Sequence, residues 1–524
     1  MLIRTRIPSV LLILVLLLAA CGENGPLPIG GSPTPVPPRE VAVMVVDGAT
    51  GDPIPGATIT ADGEELAIDD TGAATLTAFV GDPVEATADG YEDGSGSVPA
   101  DGQLRIELRD NTLEGTVTDE AGEPLAGVDV FVDEQADGAV ATTDEDGAYL
   151  LPDVPERGTL IYKRAGYRLG EIALGDEMTV DVAMEPFGVR ALYAPSAVFE
   201  GAGRLDALLA LLDRTEANAM VIDVKETDGK LFWATDLPEA VAAGSVRENP
   251  VFDLEELLPA LKERGIYTIA RMVSMKDNTT AAARPELAVM NAATGEPWRD
   301  NIGGAWLDPS APGVGEYLAA LAGDLADKGF DEVQLDYIRF YSDGPYDVAD
   351  TNLPNTQSFR LPAIERVLRV VSTRLNHTRA FLGADVFPIS FIVPDDQGIG
   401  QRPEVIMPYV DYFCPMVYPS HYGPGVFGYG IPNNFPYEVV DETLQRMNAE
   451  AEGLPMSIRP WIQDFGYGAF PPYSAGQVKA EMAAAADNGT SGWMIWNARA
   501  TFTEAALGVP RAGEDAGPIT SAAR

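Results

Sequence analysis

Histidine is nearly absent from this chain. His377 and His421 are the only two in 524 residues, too few for a multi-histidine hydrolytic metal centre, and a Ser/His/Asp triad would have to use one of them. Cysteine is equally scarce, with Cys21 and Cys414 alone. Positive charge is short as well: 35 Lys and Arg stand against 80 Asp and Glu, a formal net charge of −45. Such a field repels polyphosphate and excludes charge-driven binding to nucleic acid or to anionic membranes. Long apolar runs are missing too, since the stretch from Val10 to Ala20 covers 11 residues and a spanning helix needs about 20. No Gly-rich phosphate loop follows a strand, so a nucleotide has no support, and no cofactor or metal is expected. The remaining catalytic vocabulary is mostly carboxylates.

Hydrophobic residues make up 46% of the chain and charged residues 22%, which is enough for real cores. Arg4 and Arg6 precede the apolar run, which ends Leu18-Ala19-Ala20-Cys21-Gly22. A short basic and apolar leader reads as a signal peptide over residues 1–20. Its ending resembles the bacterial lipobox, and that resemblance implies lipidation at Cys21. Residues 21–39, rich in Pro and Gly, read as a solvated tether. The expected location is therefore exported, lipid-anchored to the bacterial cell membrane and facing the periplasm or exterior, with membrane contact only through that anchor. Acylation of Cys21 leaves Cys414 without a disulfide partner. In the run Tyr412-Phe413-Cys414-Pro415-Met416-Val417 it reads as a packed small hydrophobe.

From Val41 to about Glu185 short alternating stretches are separated by Gly, Asp and Pro turns, the pattern of small all-β domains. A repeat is visible. Gly51-Asp52-Pro53-Ile54-Pro55-Gly56-Ala57 matches Gly122-Glu123-Pro124-Leu125-Ala126-Gly127-Val128, and Ala88-Asp89-Gly90-Tyr91 matches Arg164-Ala165-Gly166-Tyr167. On these motifs the two copies, 40–110 and 111–187, resemble carboxypeptidase-regulatory-like domains, which implies Ig-like or transthyretin-like β-sandwiches. They read as spacers or glycan binders. Asp69, Asp70, Asp144 and Asp146 fall in their turns, either as calcium ligands or as ordinary Asx turns.

Beyond Pro186 apolar strand-like runs alternate with amphipathic helical stretches, the pattern of βα units around a parallel sheet. Eight strands are predicted: Val189–Tyr193, Ala219–Val224, Tyr267–Val273, Glu332–Ile338, Ala380–Val386, Tyr412–Val417, Ser457–Gln463 and Gly492–Trp496. Eight such units over residues 188–508 fit an α/β (β/α)8 TIM barrel, followed by a flexible tail at 509–524. Chemistry in that fold sits at the C-terminal strand ends, where carboxylates and aromatics from several strands point to sugar chemistry: one carboxyl as acid, another as nucleophile or base, and ring faces for the sugar.

The stretch Gly329-Phe330-Asp331-Glu332-Val333-Gln334-Leu335-Asp336-Tyr337-Ile338-Arg339-Phe340 resembles the strand-four signature of a bacterial glycoside-hydrolase-like barrel family, distantly similar to the α-amylase type. Val221-Ile222-Asp223-Val224-Lys225, Ala305-Trp306-Leu307-Asp308-Pro309, Cys414-Pro415-Met416-Val417-Tyr418-Pro419 and Arg459-Pro460-Trp461-Ile462-Gln463-Asp464-Phe465 extend the likeness. The resemblance implies Asp336 as nucleophile, with Arg339 and Tyr337 setting its charge and position. It implies Asp385 as general acid, although the α-amylase type keeps a Glu there, and leaves Glu226 and Asp464 as competing acids. Lys225, Trp306, Tyr418, His421, Trp461 and Trp496 complete the expected substrate-binding set. The segment 274–312, which carries Trp298 and Trp306, reads as a cleft wall or as a packed lid. The function expected is a surface-anchored glycosidase of retaining type acting on an extracellular or cell-wall polysaccharide, with no obligate protein partner evident. The alternative is a non-catalytic glycan-binding lipoprotein of the envelope.

Overall fold

The computed structural model describes residues 37–133, 138–175, 177–510 and 519–520. The expected signal peptide, Cys21 and nearly all of the tether lie outside them, as does most of the expected tail, of which Ile519–Thr520 form a short strand. No helix among the described residues is long and apolar enough to cross a membrane. The described residues form two compact units, one up to Ala88 with Asp93–Leu108, and the other Asp89–Glu92 with those from Arg109 onward.

The first unit is a sandwich of a 3-stranded and a 4-stranded sheet. Alternation builds it: Gln103–Leu108 buries Leu104, Ile106 and Leu108 and exposes the residues between, as a period of two requires. The second unit opens with a second sandwich whose strands, Leu113–Asp119 to Val182–Met184, pair in the same order. The repeat is thus a repeat of topology. Its glycines adopt matching left-handed conformations, with φ of 77° at Gly56 and 73° at Gly127, which a side chain would resist. Asp69 accepts from the N–H groups of Thr71 and Ala73, and Asp144 from those of Asp146 and Ala148. Both carboxylates are engaged in their own Asx turns.

The rest of the second unit is a closed parallel barrel. Its strands are β1 (Val189–Ala194), β2 (Ala219–Lys225), β3 (Tyr267–Val273), β4 (Glu332–Asp336), β5 (Phe381–Val386), β6 (Tyr412–Pro415), β7 (Ser457–Ile458 and Trp461–Gln463) and β8 (Gly492–Trp496). Proline at position 460 has no N–H to donate, and there β7 breaks. Its first piece pairs with β6 and its second with β8, so the sheet closes through this one segment. β4 stops two residues earlier than predicted because Tyr337 takes a left-handed φ of 54°.

Side chains fill the interior in layers. At the N-terminal end Glu332 is paired with Arg459, and Gly383 leaves the room, since a Cβ there would stand 2.7 Å from Glu332 Oε1. Above them Gln334 donates to Cys414 Sγ at 3.3 Å. Cys414 is buried and free, a packed side chain rather than a nucleophile. The second sandwich docks at this N-terminal end, where Lys163 Nζ donates to Ala380 O at 2.6 Å and Arg379 pairs with Asp133 and Glu171 at 2.7 and 2.8 Å. The C-terminal strand ends stay open.

Candidate active site

Four charged side chains from four consecutive strands meet at the inward top of the barrel. Period-two alternation brings them there: Asp223 follows Val221 on β2, Arg271 follows Ile269 on β3, Asp336 follows Gln334 on β4 and Asp385 follows Gly383 on β5. Arg271 is the hub. Its Nη1 donates to Asp223 Oδ1 at 2.6 Å, its Nη2 to Asp336 Oδ2, and its Nε stands 3.9 Å from Asp385 Oδ2 without a hydrogen-bond partner. Burial disfavours the guanidinium charge, yet Asp223 and Asp336 outweigh that and hold the Arg271 pKa well above its usual value. Asp223 also accepts from the Tyr193 hydroxyl, and burial pushes its pKa up.

The two outer carboxyls differ. Asp336 is fixed on both oxygens, with Oδ1 accepting from the Tyr337 N–H at 2.6 Å and Oδ2 from Arg271. Asp385 accepts from Trp461 Nε1 at 2.7 Å. Burial, and next the adjacent Asp336 charge, push its pKa well above the ordinary carboxylate range. Asp385 therefore keeps its proton where an ordinary Asp has lost it, the property a general acid needs.

Above these groups lies a cavity of about 320 Å³ lined by Arg271, Asp336 and Asp385. That is within the range of small-ligand sites. Tyr337, Tyr418, Trp461 and Trp496 supply aromatic wall, and Phe387, Ile389 and Met416 supply apolar wall. His421 also lines it, and burial lowers its pKa, so it is a neutral hydrogen-bonding group at neutral pH.

Of the residues expected at the site, Asp336, Asp385, Arg339, Tyr337, Tyr418, His421, Trp461 and Trp496 are brought together. Four are not. Lys225 is fully buried, pairs with Asp277 Oδ2 at 2.8 Å and donates to Val273 O at 2.7 Å. A register shift between Asp223 and Lys225 turns the lysine away from the barrel interior, opposite outward-facing Met272. Trp306 is 1% exposed, and its Nε1 donates to Asp300. With Trp298, 0% exposed, it makes segment 274–312 a packed layer rather than a cleft wall. Asp464 is occupied by the Thr503 N–H and hydroxyl at 2.6 and 2.7 Å. Glu226 stands beside Asp223, off the cavity wall. A further correction concerns Arg339, which does not pair with Asp336; Arg271 does. Asp223, Arg271 and Tyr193 were missed as a cluster, although their inward phase is readable in the strands.

Among the described residues no group of three or more His, Cys, Asp or Glu is arranged to hold a metal ion. Residues 191–502 match the family model described as "Putative glycosyl hydrolase domain", and residues 112–185 match "Carboxypeptidase regulatory-like domain". None of the curated proteins matches the chain. Among solved structures, a hypothetical protein from Ruminiclostridium thermocellum is similar at 31% identity over 37% of this chain and 97% of its own, with a TM-score of 0.33. The PgaB (BpsB) glycoside hydrolase domain from Bordetella bronchiseptica is similar at 14% identity over 62% and 100%, with a TM-score of 0.44. An alpha-galactosidase from Thermus thermophilus is similar at 12% identity over 82% and 90%, with a TM-score of 0.39.

Proposed function

The chain belongs to the glycosyl hydrolase family whose model spans residues 191–502 and is by that membership a glycoside hydrolase; we propose that it cuts a polysaccharide by a retaining mechanism carried by Asp336 and Asp385. The observation that carries this reading is the pair of inward carboxyl groups sharing one guanidinium under an aromatic cavity.

In the first step protonated Asp385 gives its proton to the glycosidic oxygen as the bond to the anomeric carbon breaks. Asp336 attacks that carbon from the other face and forms a glycosyl ester. In the second step Asp385, now a carboxylate, takes a proton from water, whose oxygen displaces Asp336. Arg271 keeps Asp336 in place through both steps. With its unpartnered Nε beside Asp385, it also offers a donor to the carboxylate formed when the proton leaves. Both carboxyls face one guanidinium, Asp336 bonded to Nη2 and Asp385 Oδ2 3.9 Å from Nε, and the retaining reading takes them as the close pair that such enzymes use. Proton resonances of the first-formed product decide it: retention of anomeric configuration supports the mechanism, and inversion overturns it.

The pH dependence follows from the sign of the Asp385 shift. Because its protonated form is the active acid, activity is present below its raised pKa and is lost as pH rises through it. The Trp461 indole N–H stabilises the charged form. Trp461→Phe is therefore expected to move the alkaline limb of the kcat profile to higher pH, and an unchanged or lowered limb would count against Asp385 as the acid.

Anchoring by Cys21 belongs to the same proposal and rests on the leader sequence. Expressed in a bacterium, the chain should incorporate labelled palmitate and sediment with membranes, whereas Cys21→Ala should do neither. Label in the variant would refute the anchor.

A further inference from the structure

We propose that Arg339 receives an anionic substituent on the bound sugar, so that the substrate is an acidic polysaccharide; this rests on the cavity being the glycosidase site. Arg339 is 6% exposed and lines the cavity beside Asp336. Buried arginines ordinarily carry a carboxylate partner, because an unpaired buried charge is costly. Here, among the described residues, no carboxylate is within ion-pair distance of it. Its Nη1 donates to Phe340 O at 3.1 Å and Ser342 Oγ at 2.9 Å, and among the described residues neither Nε nor Nη2 has an acceptor. Three rings fix the guanidinium, with Trp306, Tyr337 and Phe387 centroids 4.7, 5.0 and 5.1 Å from its central carbon. Burial lowers its pKa, and the more distant Asp336 and Asp343 charges oppose that shift without reversing it.

The contrast with Arg271 points the same way. Arg271 is taken up by Asp223 and Asp336, and Asp385 is held towards its neutral form. Arg339, the second guanidinium of the cavity wall, has no such carboxylate at ion-pair distance among the described residues, and Asp336, the nearest, is already bonded to Arg271. Its fork of N–H groups suits two oxygens of one carboxylate or sulfate. A neutral sugar would leave that fork unmatched, whereas a uronate or a sulfate ester would complete it.

The test uses the full chain with Asp336→Asn, so that bound glycan is not consumed, on an array of neutral, uronate-bearing and sulfated oligosaccharides. Anionic glycans should be retained at least about tenfold over neutral ones of the same backbone. Adding Arg339→Met should remove most of that preference, and Arg339→Lys should restore part of it. Which of the two anionic sets is retained tells carboxylate from sulfate. Equal retention of neutral glycans, a preference untouched by Arg339→Met, or no retention of either anionic set each overturns the inference. If Arg339→Met fails to fold, the preference of Asp336→Asn alone still decides it. Reducing-end release by the wild type from the retained glycans is scored separately. Selective retention without release defeats the hydrolase reading and leaves the Arg339 inference standing, and release without anionic preference does the reverse.

Discussion

Asp336→Asn is expected to lower kcat/KM by at least about 1,000-fold, measured as reducing-end release across a panel of bacterial and plant polysaccharides. The amide has no nucleophilic carboxylate, so the glycosyl ester cannot form. It keeps an oxygen that can accept from the Tyr337 N–H, as Asp336 Oδ1 does at 2.6 Å, but its NH2 replaces the oxygen that accepts from Arg271 Nη2, so equal folding of the two proteins is checked by urea unfolding alongside the assay. The loss should fall on kcat rather than KM, because the interaction removed belongs to the transition state. Asp385→Asn should behave differently. Without its proton donor the enzyme should still cleave aryl glycosides whose leaving group needs no protonation, while losing about 100- to 10,000-fold on natural linkages. If Asp336→Asn kept more than about a tenth of wild-type activity with its fold intact, the assignment of Asp336 would fail. If the wild type bound panel polysaccharides and released nothing, the non-catalytic glycan-binding reading would replace it.

The strand pattern was legible because the barrel imposes two simple rules on sequence. Outward residues such as Leu335, Ala384 and Ile495 pack against helices, and inward ones such as Val221 and Met494 fill the bore. That produces apolar runs in which a polar residue stands out, and it is why Asp336 and Asp385 were visible among the strand-end candidates, to which the family resemblance then gave their expected roles. The same phase would have found Arg271 and Asp223, each two residues beyond a buried inward apolar residue. What local phase could not reveal was set by distant parts of the chain. Lys225 has the inward phase of Asp223, but the register shift after Asp223 turns it out to meet Asp277, 52 positions along. Trp306 has the look of a sugar platform until Arg339 covers its face. Asp464 has a strand-end position, and only Thr503 determines that its oxygens are occupied. In the sandwiches the repeated turn motif sufficed, because glycine at fixed intervals dictates the turns.

Arg271→Met should be the most disruptive single substitution in the site, destabilising the barrel by about 3 to 5 kcal/mol. The guanidinium is the buried cation shared by three carboxyls, and methionine would fill part of the volume while leaving them uncompensated. All six tryptophans, from Trp233 to Trp496, lie in the barrel region, so urea unfolding followed by indole fluorescence reports the barrel and not the sandwiches. The pH dependence gives the effect a signature that simple loss of packing lacks. Burial already raises the pKa values of Asp223 and Asp385, and the Arg271 charge is what opposes that rise. Without it their folded-state values climb further above the unfolded ones. A group raised in this way adds stability below its unfolded pKa and loses it as pH rises through its folded pKa. The variant's deficit should therefore shrink as pH falls from about 7 towards 4. A packing defect alone would give a deficit independent of pH, and that result would remove Arg271 from its place as the electrostatic keystone of the three carboxyls. Arg271→Lys, which keeps one charge but cannot reach three partners, should fall between wild type and Arg271→Met in stability, and should lose activity because Asp336 is no longer held from the same direction.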